Sequence, residues 1–143
     1  MNTINDNLKD VIERNIDASK GYEKAAENVN SPELSTAFRQ QASQRRQFAN
    51  ELQSASGITS EISGTTEAGL HRTWMDMKTA LSSDKTEAVL EECIRGEKEA
   101  LDEYNELVNE QSLTGRVSEL ILKQRDNVQN SITELQRLEN IVD

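Results

Sequence analysis

Four segments of about 25 residues carry apolar side chains at steps of three and four, and this spacing constrains the chain more than any other feature. The first runs through Ile4, Leu8, Val11, Ile12, Ile16, Tyr22, Ala25, Ala26 and Val29, and the second through Leu34, Ala37, Phe38, Phe48, Ala49 and Leu52. The third holds Val89, Leu90, Cys93, Ile94, Ala100, Leu101, Tyr104, Leu107 and Val108. The fourth holds Val117, Leu120, Ile121, Val128, Ile132, Leu135, Leu138 and Val142. Residues so spaced fall on one face of a helix, whereas strands need alternation and frequent turn residues that are missing here. The spacing predicts an all-α protein with helices over about 3–29, 32–56, 84–110 and 115–141.

The boundaries carry their own chemistry. In "NSPEL" Ser31 can accept from orphan N–H groups, Pro32 suits a first helical position and Glu33 complements the positive end of the helix dipole. The second helix ends near Gly57, where "SASGITSEISGTT" forms the one long Ser/Thr/Gly-rich loop. Asp84 with Glu87 three residues on offers a capping box, and Thr114-Gly115 marks a turn.

Between the second and third long helices, Leu70, Trp74, Met77 and Leu81 predict a short helix over 66–81, opening at Thr65 or Thr66 with Glu67. It contains the only histidine and the only tryptophan of the chain. His71 has no second histidine or nearby cysteine to complete a metal set, so it reads as a structural or surface residue on a lid helix.

Four helices of matched length, each about 37 Å long at 1.5 Å per residue, bury their stripes most simply side by side. A single 143-residue domain is large enough for such a core. With two short links and one long one, the expected fold is a ferritin-like, up-down four-helix bundle whose long crossover carries the short extra helix.

The formal net charge of −10 speaks against nucleic-acid or anionic-membrane binding, which needs clustered Lys and Arg. Arg39, Arg45 and Arg46 are a local exception, read as an exposed or ion-paired helix face. No apolar run approaches the ~18 residues of a membrane span. The first residues lack the basic and apolar regions of a signal peptide, and the lone Cys93 suits a reducing compartment. A cytoplasmic protein is expected.

Each stripe is interrupted near its middle by polar residues. Glu97 is flanked one turn away by Cys93, Ile94, Ala100 and Leu101, so a regular helix points its carboxylate inward, where burial demands partners. The matching gaps hold Ser19 on the first helix, Gln41, Gln44 and Arg45 on the second, and Gln124 on the last, with Ser131 following. Ile12-Glu13 and Ile16 also echo Leu90-Glu91 and Ile94, an offset that sets Ser19 opposite Glu97.

Carboxylate di-metal bundles use a Glu from each of two helices and Glu-x-x-His from the other two. Here the corresponding positions are Ser19 and Gln44-x-x-Gln47, with no histidine on the last helix. Neutral amides suit iron or manganese poorly, which leaves Glu97 and the off-stripe Glu23 as the metal candidates. The expected role of Glu97, Ser19, Gln41, Gln44, Arg45 and Gln124 is a hydrogen-bonded layer fixing helix register, with no catalytic residue and no cofactor. In that case Glu97→Leu should keep the fold.

The stretches "GYEKAAENV", "SPELSTAFRQQASQRRQFANELQ", "LHRTWMDMK" and "EECIRGEKEALDEYNE" resemble the bacterial DUF2383, or PA2169-like, family of four-helix bundles, grouped with ferritin-like proteins. The resemblance implies a ferritin-like bundle of unassigned function. It further implies that relatives carry glutamate at the positions of Ser19 and Gln44 and histidine near Ile132, while Arg95-Gly96-Glu97 agrees. A non-enzymatic bundle acting by binding or assembly is therefore expected, with a homo-oligomer or protein partner and a stress-related setting taken from the family's company alone. The alternative is a metal-binding protein or oxidase of the di-iron or di-manganese type with a degenerate ligand set.

Overall fold

A computed structural model describes residues 4–58, 86–110, 113 and 115–141. Over these residues the chain forms four helices: α1 (Ile4–Asn28), α2 (Pro32–Ser56), α3 (Thr86–Val108) and α4 (Gly115–Ile141). No strand occurs among the described residues. The short helix expected over 66–81, with His71 and Trp74, lies outside them, as does the cap expected at Asp84.

The start of α2 follows the expected chemistry. Ser31 is extended (φ −87°, ψ 121°) and its hydroxyl accepts the Leu34 N–H at 3.3 Å, with Pro32 opening the helix. The end is set by Gly57, whose φ of 73° is a left-handed conformation that a side chain would strain. Its N–H donates to the Gln53 carbonyl at 3.0 Å, satisfying one of the orphan acceptors of the last turn.

Packing defines the topology. Helices α1 and α2 lie side by side as one hairpin and α3 and α4 as another, and the two hairpins dock with α1 against α3 and α2 against α4. Arg14 reaches Glu103 and Asn15 reaches Tyr104, while Ala18, Tyr22 and Ala25 sit with Val89, Leu90 and Cys93, so α1 and α3 run antiparallel. Gln41 meets Ser131 and Phe48 meets Gln124, so α2 and α4 do too. The diagonal helices α2 and α3 are consequently parallel, and the chain must travel the length of the bundle between Ser56 and Thr86.

Two apolar clusters, each drawing on all four helices, fill the ends of the bundle. One gathers Tyr22, Phe38, Leu90, Cys93 and Leu135 with the small residues Ala18, Ala25, Ala26 and Ala42. The other is built mainly from larger aliphatic side chains, including Ile12, Ile16, Leu52, Leu107, Leu120, Ile121 and Ile132, with Tyr104 and Phe48. Between them lies a buried polar layer.

Candidate functional site

At the centre of the bundle Arg45 of α2 meets Glu97 of α3 across the diagonal, with both side chains 1% exposed. The contact is two-pronged: Nε donates to Oε1 at 3.3 Å and Nη2 donates to Oε2. A bidentate guanidinium–carboxylate pair is the strongest ordinary side-chain hydrogen bond and fixes direction as well as distance. Nη1 donates to the Gln44 amide oxygen at 3.2 Å, and the guanidinium lies over the Phe48 ring, 5.1 Å from its centroid. Burial alone would lower the Arg45 pKa, but the Glu97 charge and hydrogen bonds outweigh it and the cation is held more firmly than usual.

A second chain of hydrogen bonds crosses the bundle beside this pair. Asn15 of α1 donates from Nδ2 to the Tyr104 hydroxyl at 2.7 Å, and that hydroxyl donates to the Gln124 amide oxygen at 2.6 Å. Gln124 in turn donates to the Phe48 carbonyl and to Glu51, each at 3.3 Å. All four helices are thereby joined by one run of hydrogen bonds. Lower in the layer, the Ser131 hydroxyl donates to Gln41 at 3.0 Å.

Three groups near the pair, Tyr22, Cys93 and Tyr104, are held in their neutral forms. Burial, then the nearby Glu97 charge, pushes the Tyr22 phenol and the Cys93 thiol well up. Burial also raises Tyr104. A thiol so placed is not a poised nucleophile, since nucleophilic cysteines need a stabilised thiolate.

Of the residues expected in the layer, Glu97, Ser19, Arg45 and Gln124 are fully buried. Ser19 donates to the Ile16 carbonyl of its own helix at 2.8 Å, so it closes no contact to Glu97. Gln41 and Gln44 are half-buried and touch the layer from its edge. Glu23 is exposed on α1, so only one of the two metal candidates faces the interior. Asn15 joins the layer without being among the expected residues, and the signal for it is the one helical line that Val11, Asn15, Ala18 and Tyr22 follow. Asp17 and Glu92 are buried as well, the latter against Arg95.

Among the described residues the donor set around Glu97 does not fit a di-metal centre. Both Glu97 oxygens are engaged by a guanidinium, which also donates to the Gln44 amide, a poor ligand for iron or manganese. The only described group of three carboxylates within 4.8 Å of one another is Glu87, Glu91 and Glu139 at the surface, and exposed acidic groups commonly cluster without an ion. A shallow groove of about 400 Å³ runs between α2 and α4, with Gln47, Glu51, Arg116 and Leu120 among its walls.

Fold and site together define a four-helix bundle with one long crossover and an ion-paired polar interior. The family model "Domain of unknown function (DUF2383)" matches residues 3–110, and the chain belongs to that family. No curated protein and no solved structure matches it. The matched span includes α1, α2 and α3, while Gln124 and Ser131 of α4 lie beyond it.

Proposed function

We propose that the protein is a non-enzymatic ferritin-like bundle that acts by binding or assembly, and that its polar interior holds the helices in register. The observation that carries this reading is the Arg45–Glu97 pair: the Glu97 carboxylate at the bundle centre already has a cation, supplied by the chain. Buried polar residues of this kind are best attested as register devices, because they make mispaired alternatives costly. The ferritin-like assignment rests on the single long crossover between parallel diagonal helices, the connectivity of that class.

A reducing, cytoplasmic setting accords with the free and buried Cys93. No described helix is long and apolar enough to cross a membrane. The acidic surface that follows from a net charge of −10 favours basic or neutral protein partners over nucleic acid.

Protein purified without chelator and subjected to elemental analysis, then titrated with iron(II) or manganese(II), is expected to bind neither stoichiometrically. Stoichiometric metal that disappears in Glu97→Ala would overturn the reading in favour of a metal-binding bundle.

A further inference from the structure

The polar contacts of the core are distributed unevenly. Arg45–Glu97, Asn15–Tyr104, Gln124 with Phe48 and Glu51, and Ser131–Gln41 all join the α1–α2 hairpin to the α3–α4 hairpin. At the rim of the same seam Arg14 of α1 pairs with Glu99 and Glu103 of α3. Within the layer Tyr104–Gln124 joins the two helices of one hairpin, and Arg45–Gln44 and Ser19–Ile16 stay within single helices. The helices also lie closer together within each hairpin than across the seam.

We propose that the two hairpins are exchangeable units and that the partner this fold fits is a second copy of the chain, the α1–α2 hairpin of one copy docking on the α3–α4 hairpin of the other. Exchange needs no new surface, because each bundle so formed repeats the polar pairs and apolar clusters of the single chain. Such exchange is a low-cost route to a dimer. One covalent link, residues 57–85, joins the hairpins. Its 29 residues are enough to span the length of a helix here. The polar pairs restrict docking to the correct hairpin in the correct register, so a second copy is accepted and an unrelated amphipathic hairpin is not. This inference deepens the assembly reading, and metal analysis does not bear on it.

Charge reversal tests it. Arg45→Glu places two carboxylates at the bundle centre and Glu97→Arg places two guanidinium groups there, so each variant alone is expected to be strongly destabilised. Refolded together, one bundle of the exchanged dimer regains the native pair and the other receives its reverse. Light scattering on a sizing column should then show a mixed species of twice the chain mass, melting roughly 10 °C above either variant alone. In a second arm, two differently tagged wild-type preparations refolded together at high concentration should yield mixed-tag dimers, and the same preparations mixed after folding should not. Absence of a mixed dimer from both arms overturns the proposal. So do mixed-tag dimers that form on simple mixing of folded chains, because those report an ordinary surface contact.

Discussion

The apolar ends of the bundle and its polar middle are buried to the same degree, yet burial acts differently in the two. At the ends Ile12, Leu52, Leu90 and Leu107 lose their contact with water and gain contact with whatever apolar neighbour is at hand. In the middle Arg45 and Glu97 lose hydration that costs several kcal/mol per ion in general, and only one partner in one geometry restores it. The ends therefore supply stability with loose specificity. The middle supplies specificity at little net gain in stability.

Removing one member of the central pair is the severest way to break this contrast. Glu97→Ala leaves a buried guanidinium uncompensated and is expected to cost about 3–5 kcal/mol, measured by urea denaturation. Glu97→Leu alone meets the same obstacle and is expected to lose stability as well, the outcome that marks Glu97 as well paired. Replacing both partners, Arg45→Met with Glu97→Leu, should instead fall close to wild-type stability, because no charge is left stranded. A double variant as unstable as Glu97→Ala would show that the pair contributes net stability and that the contrast is wrong.

Tyr104→Phe probes the neutral part of the middle. The ring stays in its apolar cluster, but the Asn15 amide and the Gln124 oxygen lose their shared partner. A loss of about 1–3 kcal/mol is expected from the groups left unsatisfied. A change within error would mean that water enters and takes over those bonds.

The smallest effect lies at the rim. Burial raises the Glu103 pKa above its ordinary 4.5, and the Arg14 charge and hydrogen bond offset this only in part. A carboxyl whose folded pKa is raised binds more protons folded than unfolded between its ordinary and its folded value, so its contribution is fully present below pH 4.5 and is lost as pH rises through the folded pKa. The melting difference between wild type and Glu103→Gln should accordingly favour wild type more at pH 4 than at pH 7. The opposite trend would show that pairing with Arg14 outweighs burial.

Much of the middle was legible in the chain, and particular residues show where legibility stopped. The inward direction of Glu97 follows from Cys93, Ile94, Ala100 and Leu101 around it. Its partner does not, because Arg45 lies 52 residues away and the register of α2 against α3 belongs to neither helix alone. Tyr104 falls in the apolar stripe of its helix, and nothing in that spacing shows that its hydroxyl links Asn15 to Gln124. Glu23 follows Tyr22 by one residue, a turn of about 100°, which carries it off the buried line and into solvent. The internal echo of α1 and α3 sets Ser19 opposite Glu97, but a hydroxyl that short finds its acceptor within its own helix.

The sequence by itself determined the four helices, the Ser31 cap and the Gly57 stop, and which face of each helix is apolar. These depend on residues within a turn or two of one another, where helical geometry alone sets the distances. Only the tertiary structure decided that α2 and α3 run parallel across the diagonal, that Glu97 takes Arg45 as its counter-ion, and that the polar contacts collect at the seam between hairpins. Those outcomes depend on the relative shift and rotation of whole helices, which side chains far apart in the chain settle together when they pack.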